Sequence, residues 1–242
     1  MSQPDPGVPQ FPQTRWSVVL AASGNGTDAR AALEEICRIY WFPLYAFARQ
    51  SGCSPEDAED ETQEFLARVA SREILSSATA SRGHLRTFLL AAFRRDLVDS
   101  HRRSTRQKRG GKIEHVSIDS VQAEGRLSAL TAAATPEGSF DRLWAMTCLD
   151  TAVATLEAEY TQRGRQALFE TLREFLDPES DVNYQSAAQK VSLDPSALRQ
   201  AVLRLRQRFR ALLRQIISDT LENPTDSLIE EELASLRAAL SK

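Results

Sequence analysis

The chain has 242 residues, 42% hydrophobic and 26% charged, with a formal net charge of −3. That allows one large domain or two small ones, each with a modest core. A near-neutral total excludes a chain that is basic throughout, so a nucleic-acid partner would have to show in how charge is distributed.

The first thirteen residues carry Pro4, Pro6, Pro9 and Pro12 and no apolar signal core, and they are expected to be disordered. Thr14 can cap a short helix with Trp16, Val19 and Leu20, which Asn25-Gly26 ends. Leu33, Ile36, Tyr40, Leu44 and Phe47 recur at helical spacing and predict a helix from about Asp28 to Gln50, with Pro43 as a kink point inside it. Ser54-Pro55-Glu56-Asp57 is a helix start: a capping hydroxyl, Pro at the first position and acids in the first turn. That helix should reach about Arg72. A further one is predicted from His84 to Arg103, ended by Gly110-Gly111. From there to about Thr135 large apolar side chains are few and no period holds, as in a flexible linker. Helical patterning resumes at Pro136 and runs to Leu176 with a break after Leu156 to Gly164. A last pair covers Tyr184 to Lys190 and Pro195 to Ile217. After Asn223-Pro224, Ile229, Leu233, Leu236 and Leu240 make a stripe at helical spacing. So short a helix needs a surface, and it is expected to pack on the chain's own helices with Glu230, Glu231 and Glu232 near a basic face; the alternative is a helix that only completes the C-terminal core, or a frayed tail.

Two segments carry chemistry. Around the turn Ser192-Leu193-Asp194, Ala188 is small where two helices cross, and Val191, Leu193, Leu198 and Val202 supply a shared core. This is the grammar of a helix-turn-helix, whose second helix enters the DNA major groove. That helix carries Arg199, Arg204, Arg206, Arg208, Arg210 and Arg214, with no acid between Asp194 and Asp219. Its early residues Ser196, Arg199 and Gln200 would meet bases, and the later arginines phosphates or another partner. Solvation of the basic face is the plainer reading. The second segment is a contrast. Glu56, Asp57, Glu59, Asp60, Glu61 and Glu64 make one helix acidic, and Arg86, Arg94, Arg95, Arg102, Arg103 and their neighbours make the next basic. An acidic face suits a basic protein surface and a basic face suits phosphate, unless the two helices simply pair with each other. Phe88 and Phe93 could stack on unpaired bases, although their spacing also fits a buried stripe.

No catalytic motif is recognisable, so an enzyme is not expected. Cys37, Cys53 and Cys148 are scattered and suit a reducing cytoplasm. His84, His101 and His115 lack metal-ligand spacing, and no metal or cofactor is expected. The longest central apolar run, Phe88 to Phe93, is too short to cross a bilayer, and a cytoplasmic protein without membrane contact is expected.

Asp57-Ala58-Glu59-Asp60-Glu61-Thr62-Gln63-Glu64-Phe65 resembles the acidic helix of sigma-70 family factors of the extracytoplasmic-function (ECF) type. Phe88-Leu89, Arg94, Asp99 and Arg102-Arg103 fall where those factors carry their next conserved segment, and the helix-turn-helix sits where their region four does. The resemblance covers about Thr14 to Asp219. It implies an all-α protein of two helical domains joined by a flexible linker, the second containing the helix-turn-helix: a disordered 1–13, a region-two-like domain at 14–112, a linker at 113–135, a region-four-like domain at 136–218 and a C-terminal extension at 219–242. It also implies an RNA polymerase sigma factor that directs promoter recognition and transcription initiation. Carried over residue by residue, Asp57, Asp60, Gln63 and Glu64 would meet core polymerase. Phe88, Arg94, Arg95, Arg102 and Arg103 would meet the downstream promoter element, and Ser196, Arg199, Gln200 and Arg204 the upstream element. An anti-sigma factor or another regulator is a further candidate partner. The glutamates of the C-terminal helix are expected near a basic DNA-binding face, restraining free DNA binding until polymerase engages. The sequence departs from the family pattern at Glu61, where an apolar residue is usual, at Phe88 for Trp, at Arg95 for Asn, and at Ser192, where the turn often has Gly. The alternatives are a helix-turn-helix regulator acting on duplex DNA without polymerase, and a helical adaptor with no DNA role. The acidic and basic neighbours argue against the first, and the arginine-rich helix against the second.

Overall fold

The computed structural model describes residues 27–71, 84–107, 123–125, 127, 135–177, 180–221 and 224–241. The expected disordered 1–13, the short helix at Trp16 and most of 113–135 lie outside them. The described chain is helical: α1 (Thr27–Gln50), α2 (Pro55–Ala70), α3 (Leu85–Gln107), α4 (Pro136–Gln162), α5 (Gln166–Arg173), a 3-10 turn (Glu174–Leu176), α6 (Tyr184–Lys190), α7 (Pro195–Asp219) and α8 (Asp226–Leu240). Among the described residues no strand occurs, only an isolated antiparallel bridge between His84 and Leu221.

The helix ends follow from local chemistry. Ser54 Oγ accepts from the Asp57 amide at 3.1 Å and donates to the Asp57 carboxylate at 2.9 Å, with Pro55 at the first helical position. This reciprocal cap satisfies donors that an α-helix start leaves free. Three helices end in one way. The amides of Cys53, Arg165 and Leu193 reach back to the carbonyls of Ala48, Tyr160 and Ala188 at 3.1, 2.9 and 2.9 Å. In each, the residue before that amide sits at positive φ: Gly52 at 100°, Gly164 at 67° and Ser192 at 54°. This Schellman geometry favours glycine, so Ser192 adopts it against its own preference.

Two apolar cores result. The first gathers α1, α2 and α3 with the front of α4, the end of α7 and α8. Tyr40, Leu44, Phe65, Leu89, Phe93, Phe140 and Trp144 are fully buried there. Phe93 packs against Phe65 and Phe47 with ring centroids 5.0 and 6.3 Å away. Pro43 lies inside α1, is buried, and does not end the helix. Burial of such side chains contributes roughly 1.5–3 kcal/mol each, enough to absorb one lost backbone hydrogen bond. Of the stretch 113–135, the described residues 123–125 and 127 are helical, and Ala123 is buried in this first core. Glu124 accepts from Tyr45 at 2.8 Å and from Arg49 at 2.6 Å.

The second core joins Leu156 of α4, Phe169 and Leu172 of α5, Phe175, Ala187 and Ala188 of α6, and Leu198, Ala201, Val202 and Leu205 of α7. Ala188 is small at a helix crossing, and Val191 packs at the edge. Leu193, expected in this core, is 36% exposed instead. The turn that places Ser192 at positive φ swings the next side chain outward. Helices α4 and α7 contribute to both cores. At 27 residues α4 spans about 40 Å, long enough to cross from one to the other.

Candidate functional site

The acidic residues of α2 divide by helical phase. Ala58, Glu59, Thr62, Phe65 and Leu66 face inward and are buried, while Asp60, Gln63 and Glu64 are exposed. Gln63 donates to Glu59 at 3.0 Å. Asp57 is half-buried and engaged in the cap, so it stands apart from the other three residues expected at a polymerase contact. Between α2 and α3 an ion pair runs from Arg68 of the acidic helix to Asp96 of the basic one at 2.8 Å. Glu61, which departs from the family pattern, accepts the Ser100 hydroxyl and ties α2 to α3.

The arginines of α3 have different fates. Arg94 is exposed and lies 3.4 Å from Glu137 at the start of α4. Arg95 is exposed, its Nε donating to the Ala91 carbonyl at 3.2 Å. Arg102 is exposed, 3.7 Å from Asp99 on its own helix. The Arg103 side chain lies outside the described residues. Arg94 and Arg102 line one cleft of about 810 Å³, together with Val98, Phe47, Asp57 and Glu137. Val98, 46% exposed between the two arginines, went unnoticed in the sequence, although its i,i+4 spacing to both would have placed it on their face. Phe93 is core, and Phe88 is half-buried against that core outside the cleft.

The α6–turn–α7 unit presents its front residues outward. Ser196, Arg199, Gln200 and Arg204 are all exposed, while Leu198, Ala201, Val202 and Leu205 between them are buried. The Arg199 guanidinium lies over the Tyr184 ring at 5.8 Å, and that ring is 4.6 Å from Phe175. No spacing in the sequence reveals this contact. Further along α7 the arginines are tied down. Arg206 donates to the Phe175 carbonyl at 3.0 Å, Arg208 pairs with Glu159 of α4, and Arg214 pairs with Asp226 at 2.7 Å and with Glu230. The Arg208 hydrogen bond holds the Glu159 carboxyl below its usual range.

Helix α8 buries Ile229 and Leu236 of its apolar stripe, with Leu233 and Leu240 half-buried. Its three consecutive glutamates separate. Glu230 turns to Arg214, Glu231 accepts from Ser227 at 3.1 Å, and Glu232 is 1% exposed beneath the helix. Both Glu232 oxygens are held by Arg86, at 3.1 and 3.0 Å, and His84 Nδ1 is 3.3 Å away. Arg86 also pairs with Asp141 and lies 4.7 Å from the centre of the Trp144 ring. Burial opposes the Arg86 charge, and these carboxylates more than reverse the effect, leaving its pKa above the ordinary value. The tail's acids thus meet Arg86 and Arg214, not the front arginines of α7.

Such an arrangement defines an all-helical protein whose charge is sorted by face, acidic on α2 and basic on the outer sides of α3 and α7. The family model described as ECF sigma factor matches residues 17–175, well over half of the chain, and the chain belongs to that family of transcription initiation factors. The match takes in α1 to α5 and ends before α6, leaving out the parts of the first core that α7 and α8 supply. No curated protein and no solved structure matches the chain. Among the described residues no helix is long and apolar enough to cross a membrane.

Proposed function

We propose that this chain binds core RNA polymerase through the outer face of α2 and directs it to promoters, with α3 meeting the downstream element and α7 the upstream one. The observation that carries the reading is the division within α7. Of its rear arginines, Arg206, Arg208 and Arg214 are held by the chain itself and Arg210 is exposed, while Ser196, Arg199, Gln200 and Arg204 at the front stand in solvent, where a helix-turn-helix reads base edges. Arg199 and Arg204 have no ion pair among the described residues, and Arg can grip a guanine edge with two hydrogen bonds. Asp60, Gln63 and Glu64 offer a basic protein surface an acidic strip, and Arg94, Arg95 and Arg102 offer phosphate or an opened strand a basic one. Phe88, half-buried, is the aromatic side chain of this face that could meet an unpaired base. The reaction chemistry would be the polymerase's, with this chain supplying recognition.

Co-purification with core polymerase tests the reading. The wild-type chain should bind, and Asp60→Lys/Glu64→Lys should weaken binding about tenfold or more with the fold unchanged, because both side chains are exposed. A folded wild-type chain that retains duplex DNA yet never retains polymerase would make it a polymerase-independent regulator.

A further inference from the structure

Three arginines on three helices each receive an oxygen from the acidic face or the C-terminus of α8. Arg86 of α3 holds Glu232, Arg142 of α4 donates to the Leu240 carbonyl at 3.1 Å, and Arg214 of α7 holds Asp226 and Glu230. We propose that Arg86, Arg142 and Arg214 form a second binding surface for the DNA sugar-phosphate backbone, and that α8 is its removable, phosphate-mimicking cover. The inference rests on the reading that this chain meets duplex DNA.

Continuity supports the assignment. Arg214 lies fifteen residues beyond Arg199 on one unbroken helix, about 22 Å along its axis and about 60° around it. Arg210 is exposed between them, so cations recur along α7 from Arg199 to Arg214. Beyond it the cations continue onto α4 and α3.

The cover is built to leave. An isolated helix of 15 residues is marginal in water, so α8 depends on its docking. Its hold is partly apolar, through buried Ile229 and Leu236 and half-buried Leu228, Leu233, Ala239 and Leu240, and partly ionic. A buried ion pair is commonly no more stabilising than an apolar pair of the same volume, because both charges give up water. Arg214 can exchange carboxylates for phosphates at little cost, since its partners Asp226 and Glu230 are 76% and 57% exposed. Release of α8 would free carboxylates as well as arginines, so competition between α8 and DNA should depend on salt.

The test uses the full-length chain and a fluorescent 30-base-pair duplex of arbitrary sequence, titrated at several salt concentrations. Asp226→Asn/Glu230→Gln touches only exposed partners of Arg214 and should tighten binding several-fold. The slope of log affinity against log salt should steepen by about one, as for one added phosphate contact. Arg214→Ala in that background should remove the gain, which a general loss of negative charge would not allow. Glu232→Gln should act in the same direction through Arg86. Hydrogen exchange on the wild-type chain gives an arm that needs no variant: saturating duplex should strip protection from 226–240 while α4 and α7 stay protected. An unchanged salt slope in Asp226→Asn/Glu230→Gln, a gain that survives Arg214→Ala, or α8 still protected in the complex overturns the cover. Absence of any duplex binding by the wild-type chain and by Asp226→Asn/Glu230→Gln overturns the DNA reading as well. Binding by the wild-type chain with unaltered variants overturns the cover alone.

Discussion

Helices α3 and α7 carry similar runs of arginine, yet the chain uses the two runs in opposite order. In α3 the first arginine, Arg86, is the structural one, 14% exposed and enclosed by Glu232, Asp141 and Trp144, and the later Arg94, Arg95 and Arg102 reach the surface. In α7 the first arginines, Arg199 and Arg204, reach the surface, and the later Arg206, Arg208 and Arg214 are tied to α4, α8 and the Phe175 carbonyl. A run of like charge is therefore no unit of function. In α3 burial separates the two kinds: Arg86 is 14% exposed, whereas Arg94 and Arg102 are 68% and 72% exposed although Glu137 and Asp99 lie beside them. With α8 docked, the outward-facing ends, the back of α3 and the front of α7, are those expected to meet DNA, and Arg86 and Arg214 would do so only once α8 has left.

The comparison breaks most sharply at Arg86. Arg86→Ala leaves Glu232 buried beside His84 alone and should cost the docked state about 3–5 kcal/mol, read as lost exchange protection across α8. A variant as well protected as the wild type would mean that Arg86 belongs with the surface arginines. Arg199→Ala is the opposite case. It should leave the melting temperature unchanged while costing about 1–3 kcal/mol at a site selected from random duplexes, with relaxed discrimination at one base position. Arg210→Ala should weaken all sequences alike. Equal losses for Arg199→Ala on selected and scrambled DNA would move base readout elsewhere on α7.

The Arg208–Glu159 pair sharpens the boundary between the two kinds of arginine. Its hydrogen bond lowers the Glu159 pKa in the folded state. The stabilisation is thus complete above the unfolded carboxyl value of about 4.3 and is lost as pH falls through the lower folded value. For a pair this exposed it should be worth less than about 1 kcal/mol. Melting curves of wild type and Glu159→Gln should differ slightly at pH 7 and converge as pH falls below the lowered folded-state value. Parallel curves would remove Arg208 from the structural set. The smallest effect concerns the turn between α6 and α7. Ser192→Gly relieves a positive φ that Gly52 and Gly164 occupy freely at matching helix ends, and should stabilise the second core by about 0.5–1 kcal/mol. Lower stability of the glycine variant would mean that the Ser192 side chain contributes more than its backbone strain costs.

By itself the sequence determined what is settled within a few residues. Ser54-Pro55 starts α2, Gly164 ends α4, and the apolar periods set α1, α3 and α7 nearly at their observed limits, because capping and helical phase are local interactions. The exposure of Asp60, Glu64, Arg199 and Arg204 was legible for the same reason, each being out of phase with the buried stripe of its own helix. Tertiary structure alone decided which charges are spent. Arg86 and Glu232 lie 146 residues apart, and neither carries a local sign that it will be buried with the other. Neighbouring Glu230, Glu231 and Glu232 look alike in sequence but project about 100° apart around α8, so packing sends one to Arg214, one to Ser227 and one under the helix. Leu193 and Phe88 reach the surface in part, and Phe93 is fully buried, through the way α6, α7 and the first three helices cross. Those outcomes depend on the distances between elements, which no local pattern of residues encodes.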